Sequence, residues 1–211
     1  MMKGSAGWLL PRLMSRVSAG LNLMNLRLVS YLLVLSTLLL AACSQPSTPK
    51  EKIEAFTFTN QNGDAYGSED LHGNVWIANF IFTDCVTVCP TMTAEAASLQ
   101  EKLKAKGHEV TLISFTVDPE VDTPERLHSF VMDFTNDLSN WHLLTGYSPD
   151  DIELFAREQF KTIVHKPPSS NQVIHSSNFY LVDKDGHLIG EYNYIDPTYY
   201  EDLINDIEIA L

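Results

Sequence analysis

Residues 75–82 read VWIANFIF, a run that is apolar except for Asn79. Such runs are typical of strands that are buried on both faces of a sheet. The run leads directly into residues 83–90, which read TDCVTVCP. Cys85 and Cys89 are therefore placed where a central strand ends, and open α/β sheets collect their functional side chains at that end of their strands.

The segment after the two cysteines has helical periodicity. Residues 91–106 place four apolar side chains on one face, and Gly107 ends the helix; the four are Met92, Ala96, Leu99 and Leu103. The N-terminus of a helix carries a partial positive charge, which lowers the pKa of a nearby thiol. The spacing therefore predicts cysteines that form thiolates readily.

The remaining patterns alternate between strand and helix. A strand at residues 56–59 followed by an Asn62-Gly63 turn predicts an N-terminal β-hairpin. Further strands are predicted at residues 110–117 and 187–194, and residues 173–182 lead into another. Further helices are predicted at residues 122–134, where Asp122 belongs to the start, at 148–160 and at 197–210, while residues 141–144 form a short apolar piece. This order predicts an α/β fold, with a mixed sheet flanked by helices.

The first 42 residues resemble a lipoprotein signal peptide. An apolar run at residues 28–42 follows Arg27 and is too short for a spanning helix. It ends in Leu-Ala-Ala before Cys43, which predicts cleavage there and lipid attachment to the Cys43 thiol. Residues 43–52 then form the lipid-bearing cysteine and a polar linker, and residues 53–211 form the folded domain. The predicted location is the extracytoplasmic face of the plasma membrane, to which the lipid anchors the chain.

Charge is distributed unevenly along the chain. Four of the 14 basic residues precede Cys43, whereas all 27 acidic residues follow it, so the mature part carries 10 − 27 = −17. Such a surface repels nucleic acid. A cation or a basic protein is easier to accommodate, and a monomer is the default expectation.

With Cys43 assigned to the lipid, the mature domain has only Cys85 and Cys89. Two cysteines four residues apart in an oxidising compartment form a local disulfide, a redox pair or a metal site. Residues i and i+4 of a helical turn face the same way, so both sulfurs can converge on one ion. Two thiolates favour soft ions, above all Cu(I), and an added imidazole allows Cu(II) to bind as well.

Seven histidines are candidates for that imidazole. Six lie in turns, on a helix or beside charged residues: His72, His108, His128, His142, His165 and His187. His175 differs because it precedes the apolar strand pattern of residues 176–182. By pattern alone, a histidine at the mouth of a strand is more often structural than a ligand.

Three motifs follow one another along the chain: residues 82–90 (FTDCVTVCP), residues 117–120 (VDPE) and residues 173–182 (VIHSSNFYLV). Together they resemble the Sco family of copper proteins, whose name stands for synthesis of cytochrome oxidase. The resemblance extends over residues 56–211 and implies a thioredoxin-like fold. Many members of the family have Pro after the first cysteine, whereas this chain has Val86, which affects the stiffness of the loop and leaves the ligand set unchanged.

The resemblance also implies a copper site. Cys85, Cys89 and His175 occupy the positions of the family's ligands for Cu(I) and Cu(II), and Asp118 matches an acidic residue near the metal. The pattern alone equally allows Asp118 to be a turn residue before a helix. Asp84 lies beside the site, either favouring cations or simply solvated.

The function implied is that of a copper metallochaperone. It would assist assembly of the CuA centre in subunit II of cytochrome c oxidase, its protein partner. The principal alternative is a thiol–disulfide reductase that keeps the acceptor's cysteines reduced. A peroxiredoxin-like peroxidase matches the cysteine pattern less well, and a purely structural Cys85–Cys89 disulfide remains an alternative.

Overall fold

The computed structural model describes residues 51–85 and 89–211, with only the backbone of Cys89. The signal peptide, Cys43 and most of the linker lie outside the described residues. No helix in the described ranges is long and apolar enough to cross a membrane.

The domain is built on one seven-stranded mixed sheet, in the order β2-β1-β5-β4-β3-β6-β7. The strands are β1 (Thr57–Asn60), β2 (Ala65–Gly67), β3 (Trp76–Ile81), β4 (Thr111–Thr116), β5 (Trp141–Thr145), β6 (Asn178–Val182) and β7 (Leu188–Asn193). The three central strands β3, β4 and β5 are parallel, and β6 runs antiparallel to β3. The predicted α/β fold and its N-terminal hairpin of β1 and β2 are confirmed.

Within the described residues, five helices accompany the sheet: α1 (Ser68–Leu71), α2 (Cys89–Ala105), α3 (Pro124–Val131), α4 (Pro149–Phe160) and α5 (Tyr199–Ala210). Apolar residues of α2, α3 and α5 share one core cluster with one face of the sheet. The α4 helix packs against the other face, in a cluster rich in phenylalanine. Covering both faces explains why nearly every residue of the central strands is buried.

Three local features differ from what the sequence patterns indicated. Residues 141–144 belong to β5, a full parallel member of the sheet. The helix expected to continue to residue 134 ends at Val131. The short helix α1 has no counterpart among the predicted elements. In β5, the His142 ring stacks on the Tyr66 ring with centroids 3.8 Å apart, so this histidine has a packing role.

Asn79, the one polar residue in the apolar run, belongs to a buried hydrogen-bond chain across the three parallel strands. Its Oδ1 accepts from Ser114 Oγ at 2.6 Å, and Ser114 Oγ accepts from Trp141 Nε1 at 3.0 Å. Buried polar groups are tolerated when they are bonded in this way. The chain links the middle of β3 and of β4 to Trp141, the first residue of β5.

Candidate metal centre

The sheet has a carboxyl edge and an amino edge, which contain different residues. The carboxyl edge is where β3 and β4 end and comprises residues 82–85, 117–122 and 173–177. The amino edge is where β3 begins and comprises residues 51–53 and the β6–β7 turn at 183–187. The register Trp76↔Val182 and Ala78↔Tyr180 places the residues before β6 at the carboxyl edge, beside the end of β3.

Cys85 lies at the carboxyl edge, in the turn after β3. Its backbone N–H donates to the Phe82 carbonyl at 3.4 Å. The side chain is 5% exposed and belongs to the core cluster that includes Phe82, Val117 and Val173. Cys85 is thus a thiol at the boundary between the core and the loop.

Cys89 is the first residue of α2, which begins two residues earlier than the periodicity of residues 91–106 indicated. The position of its sulfur, and with it the distance between the two thiols, lies outside the described part of the chain. The helix N-terminus at Cys89 is nevertheless in place. Its partial positive charge favours thiolates there.

His175 is brought to the same edge as Cys85. Its ring packs edge-on against the Phe82 ring, with centroids 5.7 Å apart. Nδ1 lies 2.9 Å from the Ser176 carbonyl oxygen, which can only accept, so Nδ1 carries the hydrogen. In a neutral ring, Nε2 then bears the lone pair, as in histidines that bind metals through that atom.

Asp118 is buried at the end of β4 and makes an ion pair. Its Oδ1 lies 2.7 Å from Lys166 Nζ, and its backbone N–H donates to Thr116 Oγ1 at 3.1 Å. Its side chain is 4% exposed and that of Lys166 is 29% exposed. The carboxylate is thus balanced by a cation from a loop 48 residues away, and no motif indicated Lys166.

Asp122 is a second buried carboxylate at this edge, which the sequence indicated only as the start of a helix. It is fully buried and accepts hydrogen bonds from the hydroxyl groups of Thr83 and Thr116. Burial raises the pKa of Asp122 above its ordinary value, and the hydrogen bonds from those two threonines oppose that rise. Tyr147 donates its hydroxyl to the Thr116 carbonyl at 2.8 Å. Burial, together with the nearby Asp122 charge, raises the pKa of Tyr147 well above its ordinary value.

Asp84, directly before Cys85, forms an ion pair with Arg126 on α3. The same arginine donates through Nε to Thr83 Oγ1 at 2.6 Å. The carboxylate of Asp84 is therefore occupied by a neighbouring cation in this structure. Neither alternative considered for Asp84, a carboxylate that favours bound cations or a solvated one, included this ion pair.

The chain belongs to the SCO1/SenC family, whose model matches residues 44–210. Three solved structures of Sco proteins are similar to this chain. A SCO1/SenC family lipoprotein from Bacillus anthracis is 46% identical, covers 79% of this chain and 99% of its own, and has a TM-score of 0.75.

The second is BsSco, studied for a disulfide switch and described as a member of the Sco family of cytochrome c oxidase assembly proteins. It is 47% identical over 78% of this chain and 96% of its own, with a TM-score of 0.71. The third, ScoI from Bradyrhizobium japonicum with copper bound, is 25% identical over 76% of this chain and 100% of its own, with a TM-score of 0.63. The thioredoxin-like fold expected from the resemblance is confirmed.

Proposed function

We propose that this protein is a copper metallochaperone that delivers copper to the CuA centre in subunit II of a cytochrome c oxidase. The observation that carries the proposal is the convergence of Cys85 and His175 on Phe82. The Cys85 backbone N–H bonds to the Phe82 carbonyl, and the His175 ring packs on the Phe82 ring. A soft sulfur donor and an imidazole with its lone pair on Nε2 meet at one edge, and that donor set suits copper.

The proposed ligands are Cys85, Cys89 and His175. Their chemistry fits the cargo because two thiolates favour Cu(I) and the imidazole extends the site to Cu(II). Related proteins support the choice, since ScoI of Bradyrhizobium japonicum was solved with copper bound. The backbone carbonyl of Ser176 accepts from Nδ1 and holds the His175 ring in one orientation, as the hydrogen-bond partners of metal-binding histidines do.

Asp118 has a supporting part in this proposal. Because its carboxylate pairs with Lys166, it contributes a neutralised ion pair beside the site. We assign it no bond to copper. Together with the N-terminus of α2, it sets the electrostatic surroundings in which the thiols lose their protons.

In the proposed transfer, the reduced dithiol takes up copper and His175 completes a three-ligand site. The acceptor's ligands then replace these three one at a time. Lipid attachment at Cys43 holds the domain at the extracytoplasmic membrane surface, which raises its effective concentration near a membrane-bound acceptor. The similar Bacillus anthracis protein is described as a lipoprotein, which supports this anchoring.

A thiol–disulfide reductase is the second candidate function. It is favoured by the placement of Cys89 at the start of α2, where the helix stabilises a thiolate, and by the disulfide switch described for BsSco. In this role the Cys85–Cys89 dithiol reduces a disulfide of the acceptor and is itself oxidised to a disulfide. His175 has no necessary part in that exchange.

His175→Ala separates the two functions. We expect the variant to lose Cu(II) affinity by orders of magnitude, because one of three ligands is gone, while oxidation of the dithiol by glutathione disulfide stays within about twofold. Competitive titration with a copper chelator measures the first quantity. His165→Ala is the matched control, since His165 lies opposite Ile174 on the neighbouring strand segment and faces Glu153 at 3.2 Å. Unchanged copper affinity in His175→Ala contradicts the three-ligand site.

A further inference from the structure

We infer that Asp122 is a positioning residue, which holds the loop carrying Cys85 in a fixed relation to the rest of the carboxyl edge. The inference rests on the proposed function only in taking Cys85 as a working thiol. Asp122 acts on this loop through its hydrogen bonds to Thr83, two residues before Cys85.

Asp122 fastens the Cys85 loop by several hydrogen bonds. Its two carboxylate oxygens accept the Thr83 backbone N–H at 3.1 and 3.4 Å, and Oδ1 accepts the Thr83 hydroxyl at 2.5 Å. Oδ2 also accepts the Thr116 hydroxyl. The carboxylate thus joins the loop after β3 to the end of β4. Asp122 and Thr83 are 39 residues apart in the chain.

The direction of these bonds requires a carboxylate. Thr83 Oγ1 accepts from Arg126 Nε at 2.6 Å and gives its own hydrogen to Asp122. Thr116 Oγ1 likewise accepts from the Asp118 backbone N–H at 3.1 Å and donates to Asp122. Both threonine hydroxyls therefore donate to the Asp122 carboxylate, which can only accept. An asparagine amide would present a second donor where an acceptor is needed.

Two further contacts tie the same loop to its surroundings. Arg126 pairs with Asp84, and Gln172 Nε2 donates to the Asp84 carbonyl at 3.4 Å. Gln172 lies three residues before His175, so the segment that carries the histidine is joined to the loop that carries the cysteine. Asp122 is the buried end of this network, because Arg126 and Asp84 are exposed.

The burial of Asp122 argues for a role beyond packing. A fully buried carboxylate is costly, and its nearest cation, Arg126 Nε, lies 3.8 Å away. Well-packed apolar residues often replace buried charged groups without loss of stability. A group of this kind beside a reactive thiol is a candidate for functional positioning.

The test uses Asp122→Asn in protein that also carries Cys43→Ser, so that only the pair reacts. Cys85 is alkylated with iodoacetamide, a neutral reagent, well below the melting temperature, and modification is assigned to each cysteine by mass spectrometry. We expect Cys85 to react at least about tenfold faster, because the loosened loop exposes a thiol that is now buried. Copper affinity is expected to fall by about tenfold, the lower end of the range for losing a group that orients a metal ligand, because Asp122 acts on Cys85 only through the loop.

Two threonine variants make the test independent of the stability of Asp122→Asn. Thr83→Val removes one hydroxyl donor to Asp122 and is expected to shift alkylation in the same direction by a smaller factor. Thr83→Ser keeps the hydroxyl and is expected to restore the wild-type rate. Asp206→Asn is the matched control. It removes a carboxylate on α5 that accepts a hydrogen bond from the Tyr192 hydroxyl at 2.6 Å. It should lower the melting temperature without changing the Cys85 alkylation rate.

An alkylation rate within twofold of wild type in both folded Asp122→Asn and Thr83→Val overturns the inference and leaves Asp122 a structural residue. The same holds if Asp206→Asn accelerates Cys85 alkylation equally at equal loss of melting temperature. Failure of the proposed function is a different result. It appears as an absence of copper binding by the wild-type protein, whereas the alkylation ratios need no copper.

Discussion

The two edges of the sheet contain similar polar side chains and hold them in different ways. At the amino edge, ligand atoms of Asp183, Asp185 and His187 lie within 4.8 Å of one another. Asp183 Oδ1 accepts the backbone N–H groups of Asp185 and His187 at 3.1 and 2.9 Å, so this cluster is a tight turn that bonds to itself.

At the carboxyl edge, the polar groups are bonded between distant elements. Asp122 bonds to Thr83 across 39 residues, and Asp118 pairs with Lys166 across 48. The carboxyl edge also holds Cys85, whereas the described residues of the amino edge include no cysteine. A group of polar residues thus indicates a copper site when tertiary contacts hold it in place and when it includes a soft ligand such as the Cys85 sulfur.

The largest expected effect concerns copper-dependent stabilisation. A ligand that binds only the folded protein raises its melting temperature. We expect copper to raise the melting temperature of the wild type and to have no effect on Cys85→Ser. The double variant Asp183→Asn/His187→Ala should respond like the wild type. If the double variant lost the response and Cys85→Ser kept it, the copper site would be at the amino edge.

The second prediction compares apolar residues at the two edges. Phe82 is 1% exposed and supports both Cys85 and His175, so Phe82→Ala should cost about 3–5 kcal/mol of unfolding free energy. Ile209 lies near the amino edge and is 77% exposed, so Ile209→Ala should cost less than about 0.5 kcal/mol. Urea unfolding monitored by circular dichroism measures both. Equal losses would show that the carboxyl edge is not supported by Phe82.

A smaller loss is expected when the partner of Asp118 is removed. Lys166→Met leaves a buried carboxylate without its cation and should cost about 1–3 kcal/mol, reduced by the partial exposure of Lys166. Lys184→Met is the control at the amino edge, where the ammonium group bonds to the Leu211 carbonyl on the surface. Restoring part of the loss with Asp118→Asn/Lys166→Met would identify the unpaired carboxylate as its cause; no restoration would contradict that explanation.

The smallest predicted effect is a dependence on pH at the start of α4, which follows the carboxyl end of β5. Hydrogen bonds from the Ser148 hydroxyl and backbone N–H lower the pKa of Asp151. A lowered folded-state pKa stabilises the fold above the unfolded value and ceases to do so as pH falls through the folded value. Asp151→Asn should therefore lower the melting temperature at pH 7, and the difference should shrink below about pH 4. A melting-temperature difference between wild type and Asp151→Asn that grows as pH falls would contradict this prediction.

The sequence indicated the candidate ligands but not the residues that hold their loops in place. The position of Cys85 followed from a buried strand that ends in a polar loop, and His175 was selected by the family motifs. Lys166 and Arg126 were not found, because their partners lie 48 and 42 residues away and no local pattern encodes such pairs. The same reason explains why Asp122 was interpreted only as the start of a helix.

The fold shows a similar division. Residues 75–82 and 110–117 were identified as central strands because uniform apolar character is visible in the sequence. β5 was missed because a strand of five residues containing His142 resembles a loop. Its place in the sheet depends on pairing with β4 and on the stacking of His142 on Tyr66, and both are tertiary contacts.

The central claim is that the carboxyl edge binds copper through Cys85, Cys89 and His175. Its most direct test is a Cu(II) titration of the reduced wild-type protein in the Cys43→Ser background, followed by visible absorbance. A site of this kind should give a thiolate-to-copper charge-transfer band that saturates at one copper per chain and is absent from Cys85→Ser and from Cys89→Ser. A band that persists in both serine variants, or no band in the wild type, would contradict it.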